Sequence, residues 1–293
     1  VLSPRHRSAA KIKQIPPQKK QSNDGTLMIT SSTGKLLLLV ALLVCATPAL
    51  ADLQVFPTRL TIDSRARTGV FNLRHLGNKT TRYRISPVFY KMGDDGALQK
   101  VEKPTLADNY AGDMVIFSPR MIALEPGKEQ VVRIQVRRPV DLQEGEYRMH
   151  LQFETFDDVD AQEVGSGSDP EKGVNMALKA HRAIAVPILV QQGQVNAALE
   201  MKNPVVNANN QLTMTLEKTG NRSAYGDLTV EYKADNEWQP LSELRGVAVY
   251  TDKRSVSIPL ANISAAKAAL LRISFKEQFP RGIQTSTEIT NVK

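Results

Sequence analysis

A single cysteine, Cys45, stands in a chain of 293 residues, which excludes a disulfide framework and any cysteine-based zinc site. Aromatic residues are thin at 5%, and the four histidines are too scattered to suggest a metal centre. Glycine and proline, at 17 and 16, are in ordinary supply, so neither a collagenous nor a low-complexity chain fits. The longest apolar run, Leu36–Ala46, falls short of the roughly 20 residues that span a bilayer. No catalytic signature follows a strand: there is no Gly-x-Ser-x-Gly, no phosphate-binding loop and no Gly-x-Gly-x-x-Gly. What is present is 41% hydrophobic residues against 23% charged, enough for one or two packed cores and too much for wholesale disorder.

The formal charge of +8 looks like a nucleic-acid binder's until it is located. Residues 1–51 hold seven of the 38 basic side chains and only one of the 30 acidic ones, Asp24. The remainder is close to balance, so the electrostatic case for a phosphate partner falls away and no nucleic acid is expected. Lys35, the apolar run, Pro48 and the triplet Ala49-Leu50-Ala51 have the layout of a secretory signal cut after Ala51. Met28 would open that signal, leaving residues 1–27 as a disordered leader or a mis-called extension. A lipid anchor on Cys45 would want a small residue before it, and Val44 is not one. The expectation is a mature chain without thiol chemistry and without stable membrane insertion.

From Asp52 onward the pattern is that of strands. Leu53–Asp63, Val70–Leu76, Arg82–Lys91, Met114–Ile116, Gln130–Arg137 and Tyr147–Phe156 are short runs rich in Val, Ile, Phe, Tyr and Thr, separated by Gly, Asn, Asp and Pro turns. Val132, Ile134 and Val136 alternating with Val131 and Arg133 give a clear period of two. About seven such runs predict a β-sandwich of immunoglobulin type. Residues 157–173 read as an acidic, polar loop. Strand character returns over Val174–Gln191. A second, smaller set follows: Ala197–Met201, Gln211–Lys218, Asp227–Tyr232, Val247–Tyr250, Ser255–Pro259, Leu270–Lys276 and Thr285–Thr290. Ala261–Ala269 is predicted as one short helix. The domains are thus expected at 52–191 and 192–293, both all-β.

His75, His150 and His181 are far apart in sequence, and the paired acids Asp94-Asp95 and Asp157-Asp158 fall in turn contexts. Neither set supports an enzyme, and no catalytic residue, metal site or cofactor is expected.

The stretch Gly173–Pro187 is more informative. Its even positions are Val174, Met176, Leu178, Ala180, Arg182, Ile184 and Val186, while its odd positions are small or polar. An ordinary sandwich strand with its apolar face inward is one reading. Against it, Arg182 lies within the apolar face, where an unpaired guanidinium is expensive to bury. The run also follows a long loop, so it could extend past its own sheet and offer an edge to another protein.

Here the chain resembles the PapD-like periplasmic chaperones of the chaperone–usher pathway, in a divergent branch. The match rests first on Phe117-Ser-Pro-Arg-Met-Ile-Ala-Leu-Glu-Pro-Gly-Lys-Glu-Gln-Val-Val-Arg-Ile134. It is joined by Val55–Leu60, Val70–Asn78, Glu146–Leu151 and, in the second half, Lys218-Thr-Gly-Asn-Arg-Ser223. Two departures are visible: Ala185-Val186 replaces the family's aromatic pair before the proline, and the 157–173 loop is long and acidic.

The resemblance implies two immunoglobulin-like β-sandwich domains set in an L with a cleft between them. It implies pilin or fimbrial subunits and an outer-membrane usher as partners, a periplasmic location and no cofactor. Arg59 and Arg182 would hold the subunit's terminal carboxylate, a task to which the guanidinium fork is suited. Val174, Met176, Leu178 and Ala180 would form the donor strand filling the subunit's groove, a form of strand addition known for pilin chaperones. Each large side chain buried there is worth roughly 1.5–3 kcal/mol before association costs. A two-domain immunoglobulin-like surface or adhesion module is the alternative. It shares the fold without needing the two arginines to meet.

Overall fold

The structure, a computed structural model, describes residues 52–156, 182–261, 270–278 and 282–289. Ten strands fill the first half: β1 (Leu53–Phe56), β2 (Leu60–Ile62), β3 (Thr68–His75), β4 (Thr81–Met92), β5 (Leu98–Val101), β6 (Val115–Ser118), β7 (Met121–Leu124), β8 (Glu129–Val136), β9 (Gly145–Thr155) and β10 (Ala183–Gln192). They form two facing sheets. One has the order β1-β3-β8-β6; the other runs β2-β10-β9-β4-β5, with β7 also on β4. Alternation dictates what lies between them. Phe71 and Leu73 of β3, Val132, Ile134 and Val136 of β8, and Met149, Leu151 and Phe153 of β9 all point into one core. Phe71 and Phe153 meet edge-to-face across the sheets, with ring centroids 6.3 Å apart.

A second sandwich is built from β11 (Ala197–Val206), β12 (Gln211–Gly220), β13 (Ala224–Ala234), β14 (Glu237–Val249), β15 (Lys253–Pro259), β16 (Leu271–Glu277) and β17 (Gln284–Ile289). Its sheets have the orders β11-β12-β15 and β14-β13-β16-β17. Leu212, Met214 and Leu216 of β12 face Leu228, Val230, Ile273 and Phe275 across a separate core. The protein is therefore all-β, with two immunoglobulin-like sandwiches. Among the described residues no helix is long and apolar enough to cross a membrane.

Several strands differ from the sequence reading: β5 and β7 lie where no run was read, β11 continues to Val206, and two further differences have a clear local cause. Leu53–Asp63 reads as one run, but the chain changes sheets within it: β1 pairs with β3, whereas β2 lies parallel to β10. The proline and polar residues between Phe56 and Leu60 make the switch, which local alternation does not register. In the second sandwich β14 starts at Glu237, ten residues before the run read from sequence. Pro240 and Gly246 disguise its first part, and register shifts against β13 accommodate them. The expected helix at 261–269 lies outside the described residues apart from Ala261.

Candidate functional site

Strand β10 has two kinds of edge. Along its whole length, Ala183–Gln192 pairs antiparallel with β9. On its other side β2 covers only Ile188–Val190. Residues Ala183–Pro187 therefore present an edge with no strand partner among the described residues. The chain leading into β2 carries Arg59 to the closed end of this edge, and Thr58, Arg59, Ala185 and Pro187 border a cavity of about 430 Å³ between the two sandwiches.

The cavity is cationic and aromatic. Arg59 donates through Nη1 to Tyr250 Oη at 2.7 Å and through Nη2 to Ser223 Oγ at 3.4 Å. Its guanidinium carbon lies 4.5 Å from the Tyr225 ring centroid and 5.2 Å from that of Tyr250. Arg148, on β9, stacks on Tyr250 at 3.6 Å and donates to the Tyr90 carbonyl at 2.9 Å. Arg254, from β15, lines the cavity and donates to the Ala248 carbonyl. Its guanidinium also lies against Gly96, whose φ of +80° suits glycine in the turn between β4 and β5. That turn is tied to the second sandwich by Ser255 N–H donating to the Asp94 carbonyl at 2.6 Å.

Among the described residues no carboxylate lines this cavity and none of Arg59, Arg148 and Arg254 has an ion-pair partner, although Glu146 favours the Arg148 charge and is linked to Arg59 through Ser223 Oγ. His150, opposite Pro187 on β9 and only 4% exposed, records the resulting field. Its pKa is pushed down to about 3, first by burial and then by Arg148 and Arg59. Burial also lowers the pKa values of Arg148 and Arg254. Three buried nitrogens here, Arg148 Nε, Arg254 Nε and His150 Nδ1, have no hydrogen-bond partner. Such an arrangement can receive an anion. Among the described residues no group of His, Cys, Asp and Glu could hold a metal ion.

The other sequence-predicted arginine is placed differently. Arg182 precedes β10 and shares the strand face of Ile184 and the buried Val186, while Ala185 and Pro187 border the cavity from the opposite face. Its Nη1 donates to Asp52 Oδ2 at 2.6 Å, and its side chain is 71% exposed. Thr155 holds its backbone, donating N–H to the Arg182 carbonyl at 2.9 Å and accepting the Arg182 N–H on Oγ1 at 3.1 Å. The burial difficulty raised by the sequence is thus met by a rim position with a carboxylate close by. Arg59 and Arg182 share no hydrogen-bond partner among the described residues. Val174, Met176, Leu178 and Ala180 lie outside the described residues.

Next to Arg59, around a second cavity of about 890 Å³, the polar groups are instead matched within the chain. Ser223 donates through N–H and Oγ to Glu146 Oε1, at 3.1 and 2.5 Å. Arg222 makes a two-pronged pair with Glu277 at 2.6 and 3.0 Å. The Asn221 carbonyl accepts the Glu146 N–H at 3.0 Å. The run Lys218–Ser223, noticed in the sequence as a family-like motif, thus supplies contacts between the sandwiches. Arg148, His150, Tyr250 and Arg254 escaped the sequence reading as a group. Only the lone His150 was singled out, and nothing local ties it to arginines on other strands.

No protein-family model matches the chain, and no curated protein matches it. Solved structures to which it is similar include the YadV chaperone, at 9% identity over 82% of this chain and 100% of that one, with a TM-score of 0.45. The class 5 fimbriae chaperone CfaA aligns at 11% identity over 83% of this chain and 100% of that one, with a TM-score of 0.43. The CupB2 chaperone of Pseudomonas aeruginosa aligns at 11% identity over 80% and 98%, with a TM-score of 0.41.

Proposed function

We propose that this protein is a periplasmic chaperone of pilus or fimbrial subunits, made with a signal peptide over 28–51 and working through domains at 52–191 and 192–293. It lends the edge of β10 to a subunit whose own sandwich lacks a strand, and it delivers that subunit to an outer-membrane usher. The observation behind this reading is the edge of Ala183–Pro187, which no strand covers among the described residues and which ends at Arg59. A subunit missing a strand exposes an apolar groove and unpaired amides, both of which invite aggregation. Strand addition satisfies the amides generically. Val174, Met176, Leu178 and Ala180, running into β10 from upstream, would fill the groove.

In this reading Arg59 receives the subunit's terminal carboxylate. Arg182 engages the subunit from the strand's other face by exchanging its bond to Asp52 for one to the guest. No nucleotide is needed, because the lent strand is later replaced by one from a neighbouring subunit.

The test is co-purification of the secreted chain with its partner from the native host, repeated with Leu178→Asp. The wild-type chain should bring down an immunoglobulin-like subunit. The variant should lose it while its melting temperature stays within a few degrees of wild type. A large fall in melting temperature would mark Leu178 as core of this protein's own sandwich and overturn the donor-strand assignment.

A further inference from the structure

The cavity at Arg59 is walled by both sandwiches. Arg59 and His150 come from the first; Tyr225, Tyr250 and Arg254 come from the second. Arg254 reaches across to lie on the Gly96 turn of the first sandwich. Its Nε is buried without a partner, although its Nη1 is anchored on the Ala248 carbonyl. His150 has an unused, buried Nδ1 in the same wall. A guanidinium withdrawn from water normally acquires a counter-charge, since burying it alone is costly. Among the described residues the lining contains none. The lack of an ion-pair partner, the unused Arg254 Nε–H and the open volume all call for the same missing element, a negatively charged group supplied from outside.

Its chemistry can be narrowed. The remaining lining is aromatic or apolar: Tyr90, Tyr225 and Tyr250 surround the cations, with Met92 and Leu98 beside them. A bare inorganic anion would leave these surfaces wet. A carboxylate attached to an aromatic or aliphatic side chain would cover them and satisfy the guanidinium forks together.

We propose that Arg254 is a second carboxylate-binding residue of this cavity, so that one acid group is gripped by Arg59 from the first sandwich and Arg254 from the second. The inference rests on the chaperone reading for the identity of the natural guest, a chain ending in a free carboxylate, though not for the existence of the site. It assigns the second sandwich a direct part in recognition. It also makes grip depend on how the two sandwiches are held together, because neither wall is complete alone.

The test uses N-acetylphenylalanine, its amide and inorganic phosphate as probes on the full chain. The readout is the arginine Nε–H signals of nitrogen-15-labelled protein, assigned through single variants. The free acid should shift the Arg59 and Arg254 signals together and saturably, while the amide and phosphate should leave them at least tenfold less responsive. Arg254→Gln should weaken binding of the acid at least tenfold, and Arg254→Lys by no more than about threefold. Melting curves establish that each variant is folded. If Arg254→Gln unfolds the chain, the wild-type titration decides alone. An unmoved Arg254 signal, or equal response to acid and amide, overturns the proposal. Equal response to phosphate overturns the carboxylate assignment. An acid that fails to move Arg254 while subunit still co-purifies defeats this inference and spares the chaperone reading. Binding lost in Arg254→Gln, with no subunit ever recovered from the host, does the reverse.

Discussion

The two sides of the junction between the sandwiches are made from similar materials and come out opposite. On one side Arg222 faces Glu277, and Ser223 faces Glu146, so the donors and acceptors are matched within the chain. On the other, Arg59, Arg148 and Arg254 gather around Tyr250 without a carboxylate among the lining residues. The Arg222–Glu277 pair ties the turn between β12 and β13 to β16 within the second sandwich, and Ser223–Glu146 joins the sandwiches; both leave their charges satisfied within the chain. An unmatched cluster costs stability and is useful only if something else supplies the missing charge. The first group is satisfied within the chain; the second carries the charge that the proposed guest would meet.

The contrast is sharpest in what each side loses when cut. Arg222→Ala leaves Glu277, whose side chain is only 5% exposed, without its counter-charge and, among the described residues, with only the Ile283 N–H donating to its carboxylate. Its hydrogen bond to Glu277 also raises the pKa of Arg222 more than any other influence. Removal of one partner from such a pair should cost about 3 kcal/mol in urea unfolding. A loss under about 1 kcal/mol would erase the distinction between the two sides.

Next in size is a pH effect confined to the open side. His150 has a folded pKa of about 3 against an ordinary value of 6.5, so between those values the unfolded chain binds the extra proton. The stability it supports is present in full above pH 6.5 and drains away as pH falls toward 3, at up to about 1.4 kcal/mol per unit. Between pH 7 and pH 5 the wild type should therefore lose roughly 2 kcal/mol more than His150→Gln does. Parallel unfolding curves for the two proteins would mean that neither burial nor the neighbouring arginines hold the imidazole neutral.

The smallest effect belongs to the rim. Asp52 and Arg182 form a short but exposed pair, with side chains 41% and 71% accessible. Water and salt screen such pairs, and Asp52→Ala should change stability by about 0.5 kcal/mol or less, vanishing in high salt. A cost above about 2 kcal/mol would make this pair a structural staple across the sheets and leave Arg182 unable to serve a guest.

Much of the fold was legible before any coordinates. Val132, Ile134 and Val136 alternate with Val131, Arg133 and Gln135, and the buried set is the one the alternation names. The strand switch at Pro57 and the early start of β14 were not legible. The first keeps its hydrophobic rhythm while changing partners, and the second breaks its rhythm while keeping them.

The site divides in the same way. Arg59 and the Lys218–Ser223 run were marked only by their resemblance to short motifs of a known family, not by alternation or charge. The period of two also fixes that Arg182 shares a face with Ile184 and Val186. That Asp52 would meet it at the rim, and that Arg148, His150 and Arg254 would converge on Tyr250, is decided only by tertiary structure. Side-chain alternation acts over one or two residues and sets which way a group points. Which charges then meet depends on strands brought together from distant parts of the chain, and on one sandwich closing over a face of the other.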